Sequence, residues 1–269
     1  MYDSKKISEI FEKEPQLIEL RNDKNTVFVG DTHGDIEASQ KIIGKYPLEE
    51  NRIVFLGDYV DRGPDSKGNI NYLLKMKQEY PKNLILLLGN HDYNECIPCN
   101  PSDFWDSLNK KEKKDYEALF SEFPLAVSID GIIALHGALP NIEKINEINK
   151  ISKIENKFDY LISFIDKNKK YDWIESILWG DFSEKRGYTL SEIGKGRAKF
   201  GKDHFDKVME KIGKNVLIRG HQSNASEEMY DFRCLTLFTS CAYPRSRRIA
   251  VLEKGKSAKI IDDLKIKSI

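Results

Sequence analysis

The sequence predicts an α/β fold: a central mixed β-sandwich flanked by α-helices, entered through an N-terminal β-α-β-α-β unit. Three observations carry that reading. Apolar runs of strand length alternate with segments of helical period through the first third of the chain. Further along, the apolar runs fall into hairpin-like order instead. No internal repeat, low-complexity stretch or Pro/Gly/Ser linker interrupts them, so residues 1–269 read as one domain.

The elements follow in order. MYDSKKISEIFEKEPQLIEL places Ile7, Ile10 and Phe11 at helical spacing, a short amphipathic helix. NTVFVGD (25–31) is an apolar run that closes on Gly-Asp, and IEASQKIIGKY (36–46) has helical spacing. NRIVFLGD (51–58) repeats the strand-then-Gly-Asp pattern. KGNINYLLKMKQEY (67–80) is a helix stopped by Pro81. NLILLLGN (83–90) is a third strand, ending in Gly-Asn. Parallel strands with right-handed crossovers follow from this alternation. LAVSIDGIIALHG (125–137) is two apolar runs about Asp130-Gly131, the signal of a type I′ hairpin. NVLIRG (215–220), RCLTLFTS (233–240) and RRIAVLEKGKSAKII (247–261) are further strands, the last a hairpin about Gly255. The Lys/Asn/Glu-rich stretch 141–172 reads as a solvated helical face or loop.

Lys+Arg and Asp+Glu both number 43, which argues against a broad basic surface for nucleic acid. Hydrophobic residues at 40% supply a core and exclude wholesale disorder. The longest apolar run, near NLILLLG (83–89), falls far short of the roughly 18 residues of a membrane span. The N-terminus lacks the basic-then-apolar order of a signal peptide. A cytoplasmic protein with neither membrane nor nucleic-acid partners is the expectation. Cys96, Cys99, Cys234 and Cys241 then read as reduced thiols rather than a disulfide framework. The Cys96–Cys99 pair has CxxC spacing, a weak signal for zinc or redox chemistry.

In an open α/β sheet, ligands bind beyond the carboxyl ends of the strands. Three successive strands here end in metal-type ligands: Gly30-Asp31-Thr32-His33-Gly34, Gly57-Asp58-Tyr59-Val60-Asp61-Arg62-Gly63 and Gly89-Asn90-His91-Asp92. Positions 31, 58 and 90 lie 27 and 32 residues apart, one strand-helix-strand unit each, so the turns should share one edge. Two later strands end in His136 and His221. A lone histidine after a strand is usually a hydrogen-bonded structural residue. Four of the five histidines in that context, beside three acid- or amide-bearing turns, reverse that judgement; His204, on a polar helix face, is a bystander. Carboxylate, imidazole and amide oxygen together suit manganese, iron or zinc. So many ligands, with a carboxylate able to bridge, suit two cations and in-line displacement at phosphorus.

At these residues the sequence resembles the PPP family of metal-dependent phosphoprotein phosphatases, within the calcineurin-like metallophosphoesterases. GDTHG (30–34), GDYVDRG (57–63) and GNHD (89–92) match that family's three motifs in order and separation. EKEPQLIEL (12–20) resembles the helix leading into the first motif. FSEFPLAVSIDGIIALHGALP (120–140), ILWGD (177–181), KFG (199–201), LIRGHQ (217–222) and TLFTSCAYP (236–244) resemble later landmarks. The resemblance implies a metallophosphoesterase-type sandwich and a serine/threonine phosphatase of phosphoproteins, with two divalent cations, manganese first among candidates and iron or zinc after it. It implies that Asp31, His33 and Asp58 bind the first metal, with Asp58 bridging, and that Asn90, His136 and His221 complete the second. His91 would protonate the leaving alkoxide, oriented by Asp61, after direct attack by a metal-bridging hydroxide. Arg62 would clamp phosphate oxygens, and Tyr243 matches a tyrosine near the family's site, although Ala242 replaces an Asn beside it.

The chain also departs from the family. Leu88 replaces an Arg and Asp92 a Glu in LLGNHD (87–92). The second phosphate-binding Arg is out of register before Phe200-Gly201; Arg197 is the preferred substitute over Arg186. Dinucleoside polyphosphate hydrolysis ranks second, because relatives with that activity typically carry Ala where this chain has Asp61. A non-catalytic regulatory module ranks third, since it predicts lost ligands and none of those expected is missing.

Overall fold

The computed structural model describes residues 2–93, 99–151, 172–190 and 198–269. Helix α1 (Ser4–Glu12) precedes a short strand β1 (Leu17–Glu19). Then β2 (Asn25–Val29), α2 (Ile36–Lys45), β3 (Asn51–Phe55), α3 (Ser66–Glu79) and β4 (Leu84–Leu86) alternate as the periodicity requires. Asp3, Asp35 and Asp65 begin the three helices, each accepting N–H groups of the first turn with its side chain. The strands β2, β3 and β4 are parallel neighbours. Short α4 (Asp103–Ser107) and α5 (Lys110–Phe120) lead into the hairpin β5 (Ala126–Ile129) and β6 (Ile132–Leu135). Its turn residues Asp130 and Gly131 have φ of 29° and 80°, both positive as type I′ needs.

Helix α6 (Asp172–Trp179) runs into a small three-stranded sheet of β7 (Asp181–Phe182), β8 (Tyr188–Leu190) and β9 (Ala198–Phe200). After α7 (Lys202–Lys211) come β10 (Val216–Arg219), β11 (Glu228–Met229), β12 (Cys234–Thr236), β13 (Arg248–Leu252) and β14 (Lys265–Ser268). The two main sheets are ordered β14-β13-β2-β3-β4 and β1-β5-β6-β10-β12-β11, and both mix parallel with antiparallel pairs.

The alternation of side chains across a strand divides the core in two. Phe28, Val54 and Ile85 of one sheet meet Val127, Ile132 and Ile218 of the other in a single apolar layer. Their neighbours Val27, Val29, Ile53, Phe55, Leu84 and Leu86 point the other way, into a cluster shared with Ile42, Leu73 and Phe120 of the helices. Strands buried on both faces therefore read as continuous apolar runs. Each large side chain so buried contributes about 1.5–3 kcal/mol.

Two expectations need correction. Residues 12–20 do not form the helix leading into the first motif: α1 ends at Glu12, Pro15 intervenes, and Leu17–Glu19 pairs with β5 in parallel. Nor does the chain turn straight back at Gly255. That glycine has φ 71°, but β13 pairs with β14, so the hairpin closes only after the excursion 253–264. Most of the polar stretch 141–172 lies outside the described residues. Among the described residues, no helix is long and apolar enough to cross a membrane.

Candidate active site

The parallel register of β2, β3 and β4 sets their three following turns on one edge, and β6 and β10 of the facing sheet bring His136 and His221 to it. The turns are tight. Gly57 has φ 102°, and a Cβ on it would sit 2.5 Å from the Gly89 nitrogen. A Cβ on Gly220 would lie 2.0 Å from Asp31 Oδ1. His33, Asp58, Asp61, Arg62 and His221 also have positive φ, between 41° and 68°. Asp31, His33, Asp58, Asn90 and His136 are each no more than 3% exposed.

The hydrogen bonds fix the tautomers. His33 Nδ1 is 2.7 Å from the Val60 carbonyl and His136 Nδ1 is 2.9 Å from that of Leu56. A carbonyl only accepts, so both Nδ1 atoms carry the proton and both Nε2 atoms present lone pairs. These flank Asp58: His33 Nε2 is 3.4 Å from Oδ2 and His136 Nε2 is 3.4 Å from Oδ1. Asn90 Oδ1 lies 2.9 Å from His136 Nε2 and 2.8 Å from His221 Nδ1. His221 Nε2 faces Asp181 Oδ1 at 3.5 Å. Asp31 Oδ2 is 3.9 Å from His33 Nε2, and its carboxylate also accepts the His221 N–H at 3.1 Å. Between His136 Nε2 and Asn90 Oδ1, acceptor faces acceptor with no proton to share, and a cation resolves that conflict. Among the described residues, Asp31, Asp58 and His136 offer ligand atoms within 4.8 Å of one another. The donor set fits divalent metal.

Burial, with the Asp58 charge beside it, pushes the Asp31 carboxyl well above its ordinary range. Burial also pushes the His33 imidazole down to about 3 and lowers His136, favouring the neutral ligand form of both.

Beside this cluster, His91 Nδ1 donates to Asp61 Oδ2 at 2.7 Å. The other oxygen of Asp61 accepts the Phe104 N–H at 2.9 Å, so the carboxylate is held at both ends. Burial raises the Asp61 carboxyl, against the pull of the His91 bond. The His91 backbone is fixed as well. Its N–H donates to Asp58 Oδ1 at 2.9 Å, and its carbonyl accepts Trp105 Nε1–H at 2.8 Å. Arg62 is exposed, and its Nη1 lies 2.7 Å from both His33 Nε2 and the Tyr243 hydroxyl. Tyr243 OH is itself 3.1 Å from His33 Nε2. The structure thus gathers Asp31, His33, Asp58, Asp61, Arg62, Asn90, His91, His136, His221 and Tyr243 into one constellation. Arg197 lies outside the described residues. His204 is away from the site but is no solvated bystander: its ring stacks on Phe200 at 4.1 Å and its Nε2 reaches the Leu139 carbonyl at 2.9 Å.

Several site-supporting residues escaped the sequence reading. Asp92 accepts the N–H groups of Asp58, Tyr59 and Gly89 at 2.7, 2.8 and 2.9 Å, locking two of the turns together. It stood in plain view in GNHD, registered only as a departure. Asp35 caps α2 and also accepts from the Cys241 N–H and from Arg247, joining the first turn to the loop that carries Tyr243. Arg219, fully buried, reaches the carbonyls of Gly137 and Gly180 and the side chain of Gln222. It thereby ties together the turns of His136, Asp181 and His221.

Comparison with known proteins bears on the family and the fold. The profile of the calcineurin-like phosphoesterase family matches residues 24–224. A PP2A-like serine/threonine-protein phosphatase of Candida albicans, PPG1, is 30% identical over 242 residues, covering 85% of this chain and 54% of that protein. The chain thus spans about half the length of that curated relative. A Saccharomyces cerevisiae protein serine/threonine phosphatase with similarity to human phosphatase PP5 superposes with a TM-score of 0.76 at 21% identity, over 100% of this chain and 90% of that one. A cold-active protein-tyrosine phosphatase of a psychrophilic Shewanella superposes with a TM-score of 0.62 at 14% identity, over 97% and 84%. At such identities the superpositions speak for the fold alone. The profile match covers most of the chain and includes all three motif turns, and the chain belongs to the calcineurin-like phosphoesterases.

Proposed function

We propose that the chain is a metal-dependent phosphomonoesterase acting on phosphoserine and phosphothreonine in proteins. The observation that carries this is the Asp61–His91 hydrogen bond beside the converging lone pairs. Asp31, His33 and Asp58 would hold one divalent cation; Asp58, Asn90, His136 and His221 would hold a second. Such a pair supplies Lewis acidity to an attacking water and to the phosphoryl oxygens. The chain's own groups do the rest. His91 donates a proton from Nε2 to the departing alkoxide, because Nδ1 is committed to Asp61. Asp61 holds the ring and stabilises its protonated form before transfer. Arg62 presents a planar guanidinium to two phosphate oxygens, backed by Tyr243. Manganese as the ion belongs to the same proposal and rests on the donor types read from the sequence; the cytoplasm as the compartment is the sequence expectation carried with it.

One panel tests it: phosphoserine, phosphothreonine and phosphotyrosine peptides beside diadenosine tetraphosphate, each with Mn²⁺, Fe²⁺, Zn²⁺ and Mg²⁺. The expected result is highest kcat/KM on the phosphoserine or phosphothreonine peptide with Mn²⁺. Preferential cleavage of the dinucleotide would overturn the substrate assignment.

A further inference from the structure

The Asn90 carboxamide has two nearly isosteric ends, and only one of them can ligate a cation. With Oδ1 toward His136 and His221 it offers a lone pair; turned by 180° it would offer an N–H₂ donor instead. The His136 imidazole does not enforce this choice, because its Nε2 would accept a hydrogen bond from the flipped amide. A group on the far side can oppose the flip.

That neighbour is Cys99. Its Sγ lies 3.2 Å from the backbone carbonyl of Asn90, which can only accept, so the single thiol proton is directed there. Asn90 Nδ2 approaches the same sulfur at 3.4 Å. With its proton spent on the carbonyl, the sulfur meets the side chain as an acceptor. It therefore accepts Nδ2–H and disfavours Oδ1. The segment that follows Cys99 is pinned along the site at three further points. Asp103 accepts the Arg62 N–H at 3.2 Å, Phe104 N–H donates to Asp61 at 2.9 Å, and Trp105 donates to the His91 carbonyl at 2.8 Å.

We infer that Cys99 is a positioning residue: its sulfur holds the Asn90 carboxamide with the oxygen toward His136 and His221, and so sets the affinity of the second cation site. The inference rests on the metal-binding reading above. It assigns the second cysteine of the CxxC pair a task that is neither zinc ligation nor disulfide chemistry.

The test is Mn²⁺ titration of the metal-free full chain, with cobalt absorption spectra recorded on the Co²⁺-loaded protein. Cys99→Val fills the space and can neither donate nor accept. It should weaken one of two Mn²⁺ equivalents by roughly 10–100-fold and alter the cobalt spectrum, with the melting temperature of the metal-free protein unchanged. Cys99→Ser keeps one donor and one acceptor and should stay within a few-fold of wild type. Should valine prevent folding, Cys99→Ala makes the same deletion without bulk. Asp58→Asn is the control, expected to impair both equivalents. Wild-type affinity and spectrum in Cys99→Val or Cys99→Ala, while wild type binds two ions, would overturn this inference alone. A wild-type chain that binds no Mn²⁺ would overturn the metal site and this inference with it.

Discussion

At the scale of single residues, His91 is the sharpest point of leverage, because its two ring nitrogens have different work. Nδ1 is occupied by Asp61, and the proposed proton transfer belongs to Nε2. His91→Asn should lower kcat on an alkyl phosphate by about 10²–10⁴-fold while metal content is retained. An aryl phosphate, whose leaving group needs little protonation, should lose much less. Steady-state rates on a phosphoserine peptide and p-nitrophenyl phosphate decide it, and equal losses on both would remove His91 from the role of acid. The gathering of these side chains at one edge was legible from the chain alone. A strand closing on Gly-Asp or Gly-Asn announces both a turn and a ligand. What stayed illegible were partners such as Asp35 and Arg247, 212 residues apart, whose ion pair leaves no periodic trace in the sequence.

Among the elements, α7 carries a test that is independent of any metal. His204, on its first turn, is packed against Phe200, and burial lowers its pKa below the ordinary value of 6.5. The unfolded chain therefore takes up a proton at this residue that the folded chain refuses. Stability from this source is present above pH 6.5 and is lost as pH falls through and below it. Urea midpoints at pH 7.5 and 5.0 should separate less for His204→Gln than for wild type; identical separations would show that His204 contributes nothing to acid sensitivity. Element boundaries were legible where local chemistry marks them, as with Pro81 just beyond the end of α3. They were not legible at β1, three residues whose strand character comes from pairing with β5, or across 253–264, where Gly255 signals a turn but not the later return of β14.

Over the whole molecule, the inter-sheet layer and the site lie at separable ends of the same strands. Ile129 packs in that layer beside the β5–β6 turn, and His136 follows β6 at its other end, about 13 Å of strand away. Ile129→Ala should cost about 3 kcal/mol of unfolding free energy and leave metal stoichiometry as in wild type. Urea denaturation paired with metal analysis would show whether the two ends are in fact uncoupled. The five left-handed, non-glycine residues of the site pull the other way. Each holds a backbone conformation that costs a side-chain-bearing residue of order 1–2 kcal/mol, and His33, Asp58, Asp61, Arg62 and His221 all do so. A library of variants selected for heat resistance alone would therefore drift toward glycine at these positions and lose its chemistry on the way. Selection for endurance and selection for catalysis compete here for the same few peptide units.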